Sequence, residues 1–317
     1  MIDKKFDVIV IGELNVDLIL NQIDSLPEIG KEILASKMDL VLGSSSAICA
    51  SNLSSLGAKV SFLGKIGNDS FGDLVINSLK TKGVNTDLVI REDKLKTGAT
   101  VVLNYGEDRA NVTHPGAMEH LSIDDITVEK LQRGKHVHIS SVFLQPNLQK
   151  DIYGIFVLAK DEGLTTSLDV QWDPAEKWDL DLQKLLPLVD VFLPNEQELL
   201  NLAKEDELQN AINKISGFGN TIVIKRGSKG SICWNKGDQN EVTAYLNENV
   251  VDAIGAGYSF NAGFIFKYIS GANLGECQKF GNLTGAINTT KAGGTAAFTN
   301  YLEIIEIAKE TFEYSVN

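Results

Sequence analysis

Cysteine is scarce in this chain: Cys49, Cys233 and Cys277 stand far apart, and no Cys-x-x-Cys spacing occurs. That excludes a disulfide framework and a cysteine zinc site, and it predicts reduced, packed thiols in a cytoplasmic protein. Long apolar runs are also missing. No stretch nears the roughly 18 consecutive apolar residues of a bilayer-spanning helix. The run Val8–Ile11 passes at once into Gly12, Glu13, Asn15 and Asp17, so neither a membrane partner nor a leader is expected. Positive charge is short too: 29 Lys and Arg against 42 Asp and Glu leave a net charge of −13. A nucleic-acid partner wants clustered cations for its phosphates, so that class is set aside. A nucleotide needs only a local anion site and survives this test. No Gly-x-x-x-x-Gly-Lys-Ser/Thr occurs, which excludes a P-loop. Internal repeats and low-complexity tracts are absent as well.

What remains is ordinary globular material. The chain has 317 residues, 43% of them hydrophobic, enough for a substantial core. Short apolar, β-rich runs at Val8–Ile11, Val60–Leu63, Val137–Ile139, Ser167–Val170, Val189–Leu193 and Thr221–Lys225 read as strands. Several are nearly continuous in apolar residues, as strands covered on both faces by helices are. Helical patterns fall between them. Ser70–Lys82 has Asp69 or Ser70 as its cap and Gly83 as its stop, and Ile152–Glu162 ends at Gly163. The alternation predicts a doubly wound, largely parallel α/β sheet in a single domain spanning 1–317. Two segments, approximately 18–42 and 97–113, break the pattern and read as strands outside that sheet. They form either a small lid that excludes water from the chemistry or a surface hairpin with no gating role.

The sharpest segment is Asp252-Ala-Ile-Gly-Ala-Gly-Tyr-Ser-Phe260. Its turn, Gly255, Ala256 and Gly257, follows an apolar strand and leads into an apolar helix. Small residues there let backbone N–H groups face an anion at a helix N-terminus. A tight turn that needs glycine only for its dihedrals is the competing reading. The dinucleotide fingerprint Gly-x-Gly-x-x-Gly fails, because Phe260 takes the place of its last glycine.

This segment resembles the C-terminal signature of the ribokinase/pfkB-like carbohydrate kinase family, Asp-Thr-x-Gly-Ala-Gly-Asp-x-Phe. Further motifs follow in family order: Gly12-Glu-Leu-Asn-Val-Asp17, Phe62-Leu-Gly-Lys-Ile-Gly-Asn-Asp-Ser-Phe-Gly72, Pro194-Asn-Glu-Gln-Glu198, Lys225-Arg-Gly-Ser-Lys-Gly230, and Phe280-Gly-Asn282 through Gly293. The resemblance implies an ATP- and Mg²⁺-dependent phosphotransferase acting on a sugar or related polyol, dimeric through its lid strands. It implies that Gly255, Ala256 and Gly257 form an anion hole, and that Asn15, Asp17, Gly43 and Ser44 meet the substrate. Asn195, Lys225, Gly227, Ser228, Gly230 and Asn282 then serve the nucleotide, Glu198 organises Mg²⁺ indirectly, and Asp252 belongs to a K⁺ site. Asp169, at the end of a central strand, and Arg109, in the second lid segment, are added as substrate residues. Strand carboxyl ends are where ligands sit in open α/β sheets. Arg109 otherwise reads as solvated.

Three departures stand out. Tyr258 occupies the position of the family's catalytic aspartate. A phenol of pKa about 10 is a poor base at neutral pH, and losing a general base costs roughly 10²–10⁴ in rate. In Leu42-Gly-Ser-Ser-Ser-Ala-Ile48, Leu42 replaces the first glycine of a Gly-Gly pair and Ile48 falls on a sugar-contacting Asn. Ala253 replaces the usual Thr. The readings left open are a sugar kinase, a nucleoside kinase, and a descendant that binds nucleotide or sugar without transfer. Phe260, Asn261 and Gly263 remain intact, which favours recent change at Tyr258 over long decay. His136 and His138 share one strand face, but with no third ligand in register they read as structural.

Overall fold

A strand between two helical layers has to hide both of its faces, and β1 (Phe6–Ile11) shows how. Val8 and Val10 pack into one core, Ile9 and Ile11 into the other, all fully buried. Successive strand side chains point to opposite faces, so burial on both sides reads as an unbroken apolar run. The structure is a computed structural model in which residues 4–23, 25, 27–105 and 108–315 are described.

Parallel to β1 run β4 (Val60–Leu63), β9 (Gly134–Ser140), β10 (Thr165–Asp169), β11 (Val191–Phe192) and β12 (Thr221–Lys225). A hairpin of β13 (Ser231–Asn235) and β14 (Asp238–Val242) adds two antiparallel edge strands. The order is β14-β13-β12-β11-β10-β9-β1-β4. Helices α1 (Ser45–Ser55), α2 (Ser70–Thr81), α8 (Ala256–Ile269), α9 (Leu274–Asn288) and α10 (Tyr301–Phe312) cover the Val8 face. Helices α3 (Val128–Leu131), α4 (Pro146–Asp161), α5 (Leu182–Leu185), α6 (Glu196–Ala203) and α7 (Leu208–Ser216) cover the Ile9 face. From β1 the chain goes first to β4, then crosses back to β9 and proceeds outward to β12. The winding reverses between β1 and β9, which opens a crevice at their carboxyl ends.

A second sheet holds β2 (Asn15–Asn21), β3 (Lys37–Leu42), β7 (Gly98–Tyr105) and β8 (Asp108–His114) in the order β3-β2-β7-β8. Short β5 (Lys65–Gly67) and β6 (Ile90–Glu92) pair separately.

Helix α2 starts on Asp69, whose carboxylate accepts the Gly72 N–H at 2.9 Å, and stops before Gly83. Helix α4 begins six residues ahead of the predicted Ile152, with Pro146 in its first turn, where a missing N–H costs nothing. The β13–β14 hairpin was not anticipated. Its turn residues Lys236 and Gly237 both have positive φ, 50° and 97°, the signature of a tight hairpin turn. The three cysteines are buried and free. Among the described residues no helix is long and apolar enough to cross a membrane.

His136 and His138 do not form a metal pair: among the described residues no group of three or more potential ligands is arranged to hold an ion. They bridge β9 to β10 instead. His136 Nδ1 lies 2.8 Å from Thr165 Oγ1 and its Nε2 2.8 Å from Ser167 Oγ, which also lies 2.8 Å from His138 Nδ1. Burial pushes both imidazoles down to about 3 from 6.5. The folded state therefore binds fewer protons than the unfolded one, so this contribution to stability is complete above pH 6.5 and is lost as pH falls toward 3. Each histidine should cost up to about 1.4 kcal/mol per pH unit in that window. Urea unfolding at pH 7, 6 and 5 should show a shallower acid loss for His136→Gln than for the parent chain. Equal slopes would show that the imidazole is not held neutral.

Candidate active site

The crevice between β1 and β9 contains a group that the sequence reading passed over. Glu13, directly after the glycine that ends β1, is buried. Ser45 Oγ donates to its Oε1 at 2.5 Å, the Ser46 N–H to the same oxygen at 3.2 Å, and Ser46 Oγ to Oε2. Ser46 Oγ also lies 2.9 Å from Ser140 Oγ at the end of β9. Burial raises the Glu13 pKa against the pull of these hydrogen bonds. The signal was present as a carboxylate at a buried strand end and three serines at a helix start. Ser44, expected at the substrate, caps α1. Its hydroxyl donates to the Glu13 carbonyl at 2.6 Å and accepts the Ala47 N–H at 2.9 Å.

Asn15, Asp17 and Gly43 do come together, where β2 meets the start of α1. Asn15 Nδ2 donates to Asp17 Oδ1 at 3.0 Å and to Thr100 Oγ1 at 3.1 Å. The Gly43 N–H reaches the Asn15 carbonyl at 3.1 Å. A Cβ on Gly43 would fall 2.3 Å from Asp17 Oδ1, so only glycine lets the two side chains lie over this backbone. Arg109 lies on β8 opposite Asn104, and its side chain is outside the described residues.

The densest electrostatics sit at the carboxyl ends of β10 to β12. Asp169 is fully buried, and its Oδ2 receives Lys225 Nζ at 2.7 Å, Gln171 Nε2 at 2.7 Å and Asn261 Nδ2. Its Oδ1 is buried without a hydrogen-bond partner. Lys225 also donates to Asn261 Oδ1 at 3.3 Å, and a Cβ on Gly257 would lie 4.0 Å from its Nζ. The ammonium thus stands beside the first turn of α8. Asn195 and Glu198 form a capping box on α6: Glu198 Oε2 accepts the Asn195 N–H at 2.9 Å, and Asn195 Oδ1 accepts the Glu198 N–H at 2.8 Å. Burial first, and the Asp169 charge second, push Glu198 up to about 7, while Lys225 opposes them. Cys49 on α1 feels Asp169, Lys225 and Glu13 together, which puts the two clusters in one neighbourhood.

Gly230 and Asn282 converge on the end of β14. A Cβ on Gly230 would fall 2.0 Å from the Val242 carbonyl, and Asn282 Nδ2 donates to the Val242 and Thr243 carbonyls at 3.1 and 3.2 Å. Gly227 and Ser228 are exposed on the turn after β12. Gly255 caps α8 with φ 85°; the Ala256 N–H donates back to the Ala253 carbonyl at 3.2 Å, and Gly257 follows in the first turn of the helix. Tyr258 follows on the same turn, half-buried against the Val8-side core.

These residues fit a phosphate chain with a divalent cation. A buried carboxylate oxygen without a partner, a second carboxylate held beside it, an ammonium and a helix N-terminus together balance such charges. Asp252 does not fit an ion: its Oδ1 accepts the Ile254 N–H at 2.8 Å and its Oδ2 the Gly293 N–H at 2.9 Å.

Lys225→Met leaves the Asp169 charge buried and uncompensated and should cost at least about 3 kcal/mol in urea unfolding. Adding Asp169→Asn should restore most of that loss. A double variant as unstable as the single one would rule out the ion pair as the cause.

The comparisons bear on the whole chain. The pattern of the pfkB family of carbohydrate kinases matches residues 5–300. An uncharacterised sugar kinase from Archaeoglobus fulgidus is 32% identical over 247 residues, covering 76% of this chain and 95% of the relative. Ribokinase from Arabidopsis thaliana, solved with ribose and ATP, superposes with a TM-score of 0.85 at 24% identity, over 96% of this chain and 99% of that one. A candidate ribokinase II from E. coli in complex with ATP and Mg²⁺ gives 0.83 at 23%, over 96% and 99%. The fold is ribokinase-like, and the chain belongs to the pfkB family of carbohydrate kinases.

Proposed function

We propose that this chain transfers the terminal phosphoryl group of ATP to a hydroxyl of a sugar or related polyol. The observation that carries the reading is the Lys225–Asp169–Asn261 cluster beside the Gly255–Gly257 turn, at the carboxyl ends of the sheet. In this reading the Gly257 N–H and the Lys225 ammonium face the transferred phosphoryl group, where charge develops. Asp169 Oδ1 and Glu198 would hold Mg²⁺, Glu198 indirectly, and the ion would supply positive charge for the phosphate oxygens. Asn195, Gly227, Ser228, Gly230 and Asn282 shape the nucleotide side. The solved fold neighbours that hold ATP, one of them with Mg²⁺, support this choice of co-substrate.

The acceptor lies by Asn15, Asp17 and Gly43, with Arg109 of β8 as a further substrate residue and Ser44 setting the start of α1. The second sheet, with segments 18–42 and 97–113, acts as a lid that excludes water. Its exposed apolar side chains, Met38, Leu40, Val41 and Val112, support a homodimer through that sheet. The protein works in the cytoplasm, where ATP is available.

As the acceptor oxygen bonds to phosphorus and the bond to ADP breaks, the hydroxyl proton has to leave. Tyr258 stands where a carboxylate would take it, and a phenol is a poor acceptor. Transfer by this chain is therefore slow.

ATP-dependent phosphorylation of a panel of sugars and nucleosides, with the chain and Tyr258→Asp side by side, tests this reading. The variant should turn over faster by roughly 10²–10⁴ on a sugar. Comparable rates would place the base elsewhere, and a nucleoside preference would change the acceptor class. No transfer by either, with nucleotide still bound, would make the chain a binding protein. Solution mass measurement should give a dimer, and a monomer would remove the second sheet as an interface.

A further inference from the structure

The turn that precedes α8 is held from behind by a row of buried amides. Ile254 presents its carbonyl to Asn288 Nδ2 at 2.5 Å. Asn288 Oδ1 accepts the Ser259 hydroxyl at 2.9 Å, and Ser259 Oγ accepts Asn52 Nδ2 at 2.9 Å. The same Asn52 amide donates to the Gly294 carbonyl at 2.9 Å. Asn52, Ser259 and Asn288 have no exposure at all, and they belong to α1, α8 and α9. Gly255 sits inside this frame: a Cβ there would lie 2.6 Å from the Gly294 Cα and 3.2 Å from Asn288 Oδ1.

A monovalent cation behind this turn, as the family resemblance implies, would need several oxygens converging on one point with no hydrogen donor among them. The residues present do not supply that set. Both Asp252 oxygens accept backbone N–H groups, from Ile254 and from Gly293. The Ile254 carbonyl accepts an amide hydrogen. The side chain of Asn288 brings positive polarity to the carbonyl an ion would otherwise face, and its own oxygen is taken by Ser259.

We infer that the Asn52–Ser259–Asn288 relay takes the place of a monovalent cation in fixing the Ile254–Gly257 turn, so that this chain needs no K⁺ and depends on the Asn288 amide instead. Asn288 is a positioning residue: it acts through Ile254 and Gly255 on the N–H groups of the turn. Its side chain is a fixed covalent donor, so the turn keeps its shape at any salt composition. The consequence for nucleotide affinity rests on the proposed phosphate role of the turn; the structural consequence does not.

Thermal melting in KCl and in tetramethylammonium chloride of equal ionic strength tests the inference without any turnover. The chain as it stands should melt at the same temperature in both. Asn288→Asp replaces the donor by an oxygen facing the Ile254 carbonyl. It should melt lower in tetramethylammonium and recover saturably with KCl. Ser259→Ala, which cuts the relay but leaves Asn288 in place, should melt lower in both salts and weaken ADP binding, read by titration calorimetry. A saturable K⁺ stabilisation of the unmodified chain would overturn the inference. So would an Asn288→Asp protein that melts like the parent in both salts. If no ADP binds to any variant, the kinase reading fails while the melting comparison still decides this one.

Discussion

A carboxylate with no exposure at the end of a central strand has to be neutralised where it stands, and the upper edge of this fold is arranged around that need. Taking a lone ion out of water costs several kcal/mol even after relaxation. Asp169 meets the cost with Lys225 from the end of β12, Asn261 from α8 and Gln171 from the loop after β10. Each partner comes from a different element, so the pair fixes how far the sheet stands from the first turn of α8. Exposed pairs such as Lys31–Glu28 are worth about 0–1 kcal/mol and constrain nothing of this kind.

The neighbouring Asn-x-x-Glu motif has two explanations at once. As local structure it is a capping box, with Asn195 and Glu198 satisfying each other's backbone N–H groups at the start of α6. The same bonds stop the Glu198 carboxylate from swinging out to water, leaving it buried and within the field of Asp169. Two carboxylates in one field resist sharing charge, and one is pushed toward its neutral form. A divalent cation would relieve both at once. The cap therefore holds Glu198 in the field of Asp169, and its local role and its electrostatic one need not be set against each other.

Much of this was legible in the chain. Continuous apolar runs marked the parallel strands because both faces are buried, and glycine and aspartate punctuated α2 as expected. The motif order carried the family assignment. Long-range pairing was not legible. Nothing local shows that Lys225 meets Asp169 across 56 positions, since the two belong to different strands whose ends align only after the sheet forms. The Glu13–serine cluster was missed for a related reason: charge predicts exposure unless the partners that bury it are known. Asp252 was read toward an ion because its sequence context resembles an ion site. Its actual partners are backbone N–H groups, one of them 41 residues away. The start of α4 was missed: the helix extends back to Pro146, whose absent N–H costs nothing in a first turn.

The same facts explain why a tyrosine can stand at position 258 without unmaking the site. The turn is shaped by Asp252 in front of Gly255, by the left-handed φ of Gly255 itself, and by the buried amides behind it. None of these contacts uses the side chain at 258. A change of residue there leaves these contacts, and the Lys225 ammonium beside the first turn of α8, where they are. Preorganised dipoles that face developing charge owe their strength to being held by the rest of the protein. Chemistry and architecture are therefore separable at this helix start.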